Sequence, residues 1–282
     1  MRVAEAWLAQ GQDVFALTRS RQRAAEFAAR GIEPIVGDVT RRDSLDVLPA
    51  VDVTLYAVGF DRSTGHSMQE VYVDGLRNVL AKVTPGKGGF LYISSTSVYG
   101  RKKGEWVDES SACQPTRTRG RICLEAEHLV RSFFSQQASI DANGASILRL
   151  AGIYGPGRLL RRVDTLRSGA QLPGNPEAYL NLIHVQDAVQ SICACEARGE
   201  FGETYLVCDN KPVRRRDYFE TLAALMDAPA PNFAPAGDSS PADERSDKRC
   251  SNRKLREELG VSLRFPSYES GLPDAVASEL NM

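Results

Sequence analysis

The chain has 282 residues, 42 % of them hydrophobic and 25 % charged, enough to bury a sizeable core in one large or two modest domains. Lys plus Arg at 35 nearly balance Asp plus Glu at 36, so no global field draws the protein to nucleic acid or an anionic membrane, and partners must be argued from sites. No apolar run approaches the ~20 residues of a spanning helix, and Glu5 stands where a secretory h-region would lie, which predicts a cytoplasmic protein. The six cysteines show one close pair, Cys193 and Cys195, and no histidine spaced to complete a metal site; reduced thiols are expected, with neither zinc nor a disulfide framework.

In chain order, residues 1 to 10 place Val3, Ala4, Trp7 and Leu8 on one helical face that closes at Gly11. Asp13 to Thr18 reads as a strand, Gln22 to Arg30 as an alanine-rich helix, and Glu33 to Val36 as a second strand leading to Gly37 and Asp38. Asp43 is a candidate N-cap for a short helix ending before Pro49, and Val51 to Val58 is the next strand, closed by Gly59. Ser67 to Val83 forms a long amphipathic helix, Phe90 to Ile93 a buried strand, Glu125 to Phe134 a helix, and Ser146 to Leu150 another strand. Alternating strand and helix predicts an α/β fold: a Rossmann-type doubly wound parallel sheet over 1–150.

The rhythm changes after Ala151, so 151–282 is expected to form a smaller substrate-binding region, with 179–209 returning once to the sheet. There Tyr179 to Ile183 and Glu203 to Val207 read as strands, and Gln186 to Ala197 and Asp217 to Met226 as helices. Asp227 to Lys248 is rich in Pro, Ala, Ser and Asp and reads as a loop, and a last helix runs from a Ser251 cap to Gly260.

The strand at 90–93 runs into the hydroxyl cluster Ser94 to Ser97. In an open parallel sheet ligands bind beyond the carboxyl ends of strands, so chemistry is expected near Ser95. Three arginines, at 158, 161 and 162, could grip a phosphate bidentately, against the commoner reading of a solvated helix face.

The runs SSTSVYG at 94–100, RLAGIYGPGR at 149–158 and NLIHVQDA at 181–188, with VYVDGLRNVL at 71–80, resemble the extended short-chain dehydrogenase/reductase family, the NAD-dependent epimerase/dehydratase group. The resemblance covers most of the chain and implies an NAD- or NADP-binding protein that oxidises, reduces, epimerises or dehydrates small molecules, often nucleotide sugars. It assigns Ser95 as the hydroxyl that orients the substrate oxygen, the alternative being a strand-end hydroxyl that satisfies local backbone. It gives Arg19, Asp38, Ala57, Val58, Gly59, Ser94 and Tyr154 to the cofactor, and Thr96, Asn181 and Arg158 to the substrate. Arg19, with Arg21 beside it, stands where an acidic residue would hold the ribose 2′-hydroxyl, which favours NADP over NAD. Asp38 reads nearly as well as a turn former, Asp187 as a helix cap and His184 as a satisfied structural histidine. Helices at 67–83 and 124–134 could pair two copies into a homodimer, as in relatives.

Two departures stand out. The family's first strand and glycine-rich turn precede its first helix, and this chain has neither; either the protein begins ~10 to 15 residues upstream or this is a degenerate form. The family's Tyr-x-x-x-Lys falls on Arg119 and Cys123, neither of which can supply a phenolate acid/base and its lysine. The one literal match, Tyr99 with Lys103, lies in a Gly-flanked loop and is a candidate substitute pair. A dinucleotide-binding sensor or scaffold without turnover is the alternative function.

Overall fold

The computed structural model describes all residues except 84, 101–102, 137–143, 235–246 and 281–282, and only the backbone at 85–88, 160–161 and 279–280. The chain forms two compact units that are each discontinuous in sequence. Unit 1 comprises residues 1–94, 117–148 and 192–204; unit 2 comprises 95–116, 149–191 and 205–282.

The elements follow the expected alternation: α1 (Arg2–Ala9), β1 (Phe15–Thr18), α2 (Arg21–Ala28), β2 (Glu33–Val36), β3 (Val51–Tyr56), α3 (Gly75–Leu80) and β4 (Pro85–Ser95). They continue with β5 (Glu105–Val107), α4 (Thr118–Gln136), β6 (Ala145–Leu150), β7 (Gly152–Tyr154), α5 (Leu160–Arg167), β8 (Tyr179–Leu180), β9 (Leu182–His184) and α6 (Val185–Arg198). The chain then runs through β10 (Thr204–Val207), β11 (Val213–Arg214), α7 (Arg215–Leu225), β12 (Lys248–Cys250), α8 (Arg253–Leu259) and α9 (Tyr268–Leu280). A central sheet has the order β10-β6-β4-β3, so the strand near 204–207 does return to it. The short strands β1 and β2 pair parallel as a separate sheet, and among the described residues no strand is hydrogen-bonded between β1 and β3.

Several local expectations are corrected. The amphipathic helix at 67–83 contains a π-helical stretch at Glu70–Asp74, where the amide of Gly75 reaches back to the carbonyl of Glu70. The Tyr56 hydroxyl donates to the carbonyl of Val71 at 3.2 Å, occupying one of the backbone groups that the wider turn leaves over. Residues 42–45 make only a 3-10 turn, with Arg41 and not Asp43 at the N-cap position and no side-chain cap hydrogen bond. The last helix is α9, beyond Gly260, and it carries Pro273 in its interior. Of the expected loop at 227–248, residues 235–246 lie outside the described part.

In unit 1 one apolar cluster unites Leu76, Val79 and Leu80 of α3, Phe90 and Tyr92 of β4 and Ile122, Ala126 and Val130 of α4. The periodic apolar face of each helix is thus the face that meets the sheet. In unit 2 a second cluster gathers Tyr154, Leu159, Val163, Tyr218, Leu222, Leu272 and Ala275, so α5, α7 and α9 share one core. Strands β5 and β12 pair with Trp106 opposite Arg249, and β8 and β11 with Tyr179 opposite Arg214.

Candidate active site

In unit 1 the carboxyl ends of β1, β2 and β3 carry the groups assigned to a dinucleotide. Arg19 follows β1 with its guanidinium exposed. Asp61, held below the usual carboxylate range by the Ser63 hydroxyl and amide, also feels the Arg19 charge. The Asp38 carboxylate accepts from the amide and hydroxyl of Thr40 at 2.9 and 2.8 Å, the geometry of an Asx turn. Gly37 beside it is sterically required, because a Cβ there would lie 2.7 Å from the carbonyl oxygen of Ser44. Past the end of β3, Ala57 and Gly59 are exposed and Val58 half-buried, and a Cβ at Gly59 would meet nothing of the protein within 4 Å. The Ser94 hydroxyl is committed elsewhere. It donates to the carboxylate of Glu127 at 2.5 Å, both groups being buried. Sequence reasoning missed Glu127, whose only signal was a charge on the apolar face of α4.

In unit 2 the hydroxyl cluster turns into a 3-10 helix at Thr96–Tyr99. Ser95 caps it, half-buried, accepting from the amide of Ser97 at 3.2 Å. Thr96 is buried and hydrogen-bonds the Cys250 thiol. Tyr99 is fully buried, and its hydroxyl takes a hydrogen bond of 2.7 Å from the Arg149 guanidinium. Burial raises the Tyr99 pKa far above the ordinary phenol value despite that arginine. This is the reverse of what a phenolate base requires. Lys103 is exposed in a positive-φ turn, so Tyr99 and Lys103 do not form the helical pair that the motif needs. On α4 of unit 1, Arg119 is exposed and Cys123 buried, which leaves the family's two catalytic positions without acid/base chemistry.

Tyr154, which the resemblance gives to the cofactor, lies in the core: it is 0 % exposed, donates to the carbonyl of Ser267 at 3.3 Å and stacks edge-on to His184. Asn181, which the resemblance gives to the substrate, clamps a strand. Its amide donates to the carbonyl of Lys248 at 2.9 Å and accepts from the amide of Cys250 at 2.6 Å, standing in for a backbone ladder along β12. Arg158 is exposed, while Arg162 turns away to donate to the Tyr218 hydroxyl at 2.5 Å and cover its ring at 5.0 Å. The side chain of Arg161 lies outside the described residues, and the other two arginines do not form a phosphate clamp. Asp187 does not cap α6; its two oxygens accept from the amides of Arg264 and Phe265 at 2.8 and 2.9 Å. His184 is fully buried, as a structural histidine should be, with Nδ1 accepting from the amide of Gln186 and Nε2 3.2 Å from Asp274.

Two buried ionisable groups in unit 2 escaped the sequence reading. Asp209, 2 % exposed, accepts from the amide of Lys211 at one oxygen, while the other has no hydrogen-bond partner among the described residues. Burial, with Asp187 nearby, pushes its pKa up to about 8. Lys248 is 3 % exposed, and burial lowers its pKa. No group of His, Cys, Asp or Glu suited to a metal ion occurs among the described residues.

Comparison with known proteins places this architecture. The model of the NAD dependent epimerase/dehydratase family matches residues 1–208. The chain is 26 % identical over 230 residues to Protein YeeZ of Escherichia coli K12, covering 79 % of this chain and 75 % of that one. It is 26 % identical over 231 residues to a protein of Stigmatella aurantiaca named 4-hydroxy-2-methyl-3-oxo-4-farnesyl-3,4-dihydroquinoline-1-oxide ketoreductase, covering 77 % and 67 % of the two chains. Among solved structures, a putative NAD-dependent epimerase/dehydratase from Methylobacillus flagellatus is 30 % identical with a TM-score of 0.74, covering 99 % of this chain and 94 % of that one.

The family implies a nicotinamide dinucleotide, and the groups of unit 1 that would hold its adenosine end are the exposed guanidinium of Arg19 after β1 and the carboxylate of Asp38 after β2. No glycine-rich turn stands before α2 or α3 among the described residues. The chain belongs to the NAD-dependent epimerase/dehydratase family, with the family's Tyr and Lys positions occupied by Arg119 and Cys123.

Proposed function

We propose that this protein binds NADP(H) or NAD(H) through unit 1 and uses it in a redox, epimerase or dehydratase reaction on a small or sugar-nucleotide-like molecule. The observation that carries the reading is the exposed Arg19 guanidinium after β1, in a chain whose family binds nicotinamide dinucleotides. An arginine there suits a 2′-phosphate, so NADP is the preferred cofactor. When bound, the dinucleotide supplies the hydride donor or acceptor. Ser95 orients the substrate oxygen: at the end of β4 it is half-buried, as is Ser97 two residues on, whereas Ser94 is held by Glu127 and Thr96 by Cys250. The ketoreductase named among the relatives supports a carbonyl or secondary alcohol as the reacting group.

A second reading, a dinucleotide-binding sensor or scaffold without turnover, is favoured by the loss of both acid/base residues from α4. In either case the protein is proposed to be cytoplasmic and to pair as a homodimer through α3 and α4, which size-exclusion chromatography with light scattering checks. Among the described residues no helix is long and apolar enough to cross a membrane.

Calorimetric titration of NADPH and NADH tests the cofactor. Tighter binding of NADPH, lost in Arg19→Glu, is the expected result; equal binding by that variant contradicts the role of Arg19, and no binding of either dinucleotide contradicts the function.

A further inference from the structure

Strand β12 of unit 2 presents two faces of different chemistry. Successive strand residues point to opposite faces, so Lys248 and Cys250, 3 % and 1 % exposed, share the inner face and the half-buried Arg249 stands on the outer one. The Cys250 thiol meets the Thr96 hydroxyl, so the inner face is the one that borders the hydroxyl cluster. Arg249 belongs to a separate surface. Register sets it opposite Trp106 of β5, and its guanidinium lies over the ring of Trp106 at 5.1 Å and over that of Tyr179 at 5.2 Å. Its Nε donates to the carbonyl of Gly104 at 2.7 Å, so one bond and two rings hold the guanidinium in place.

Other arginines of unit 2 that pack on rings end on an acceptor: Arg149 on the Tyr99 hydroxyl, Arg162 on that of Tyr218, and Arg214 and Arg216 on Glu177. Arg249 differs. Beyond its Nε bond, the two terminal nitrogens meet no carboxylate or other acceptor among the described residues. Asp247, two residues back on the same face, is tied through Oδ1 to the amide of Tyr179 at 2.9 Å. A guanidinium that is half removed from water and held in one orientation, with its terminal N–H groups unpaired, is a preformed fork for an oxyanion. Beside it Trp106 is 54 % exposed, a flat apolar surface with room for a ligand body.

We propose that this outer face of β5 and β12 is a binding site for an oxyanion, a carboxylate or a phosphate, carried on a flat apolar body. The oxyanion accepts from the two terminal nitrogens of Arg249, and the body lies on the indole of Trp106. The site is contained in unit 2 and shares no residue with the dinucleotide reading of unit 1, so it stands whether or not that reading does. Tyr179 serves it by holding the guanidinium from β8, and Gly104 by fixing Nε.

The chain has two tryptophans, and Trp7 is buried in unit 1, so indole emission reports on this site once the Trp106→Phe protein is subtracted as the Trp7 background. The native protein is titrated at constant ionic strength with benzoate, phenyl phosphate and inorganic phosphate. A saturable change in Trp106 emission with benzoate or phenyl phosphate is expected, with inorganic phosphate, which lacks the ring, binding more weakly; the tighter of the two aryl probes identifies the oxyanion. Arg249→Lys, which keeps the charge but loses the fork, should weaken binding about tenfold, and Arg249→Met should abolish it. Acrylamide quenching gives a second readout that needs no change at Arg249: at saturating aryl probe, Trp106 of the native protein should be shielded. No saturable response to either aryl probe, undiminished quenching at saturation, or equal binding by a folded Arg249→Met protein overturns the proposal.

Discussion

The dinucleotide end of unit 1 and the polar interior of unit 2 are built in opposite ways. In unit 1 the assigned groups sit on exposed strand ends: Arg19 is in solvent, Gly59 is open on its Cβ side, and Asp38 is held by its near neighbour Thr40. In unit 2 polar groups are buried and bonded to distant backbone, as with Asp187 on Arg264 and Phe265, or Asn181 on Lys248 and Cys250. The difference teaches where substitution should be felt: ligand choice in unit 1, folding in unit 2.

The largest loss of stability is expected at Asp187. Replacing it by Ala strands the buried amide of Phe265 and the part-buried amide of Arg264, and chemical denaturation should show a loss of roughly 3 kcal/mol. Gly271→Ala comes next, since its Cβ would lie 2.1 Å from the Tyr154 hydroxyl; overpacking of this kind costs about 1–3 kcal/mol. A loss below that range at both sites would erase the contrast between the units.

Asp209→Asn should sharpen it in the other direction. An aspartate at about 8 in the fold against 3.8 in the unfolded chain keeps its proton on folding, so native stability is fullest below about pH 4 and falls as pH rises towards 8. The asparagine protein lacks this slope and should be the more stable at neutral pH, by a margin that widens by up to ~1.4 kcal/mol per pH unit between those limits. Parallel melting curves from pH 4 to 9 check the sign. The smallest stability effect is expected in unit 1, where Arg19→Glu should change stability by less than about 0.5 kcal/mol, as solvated surface changes do, while weakening NADPH binding.

The same contrast explains what the sequence could disclose. Strand β2 is legible residue for residue because apolar runs between turn signals are local, and the family emerges from the hydroxyl run, GIYGPGR and NLIHVQDA for the same reason. Helix α9 is missed because Gly271 and Pro273 read as breakers, yet Gly271 is there to admit the Tyr154 ring and α9 is held by the shared core of α5 and α7. Tyr154 and Asn181 sit in motifs that resemble ligand-binding segments, and only contacts with Ser267, Lys248 and Cys250, far along the chain, reveal structural duties. Lys248 and Asp209 carry no local signal at all. Their burial comes from strands and turns assembled over long sequence distances.

Hydrogen exchange of the native protein with and without NADPH tests the central claim most directly. The account predicts protection confined to unit 1, at the turns after β1, β2 and β3 around Arg19, Asp38 and Gly59. Saturating NADPH with no protection in those three turns would contradict it.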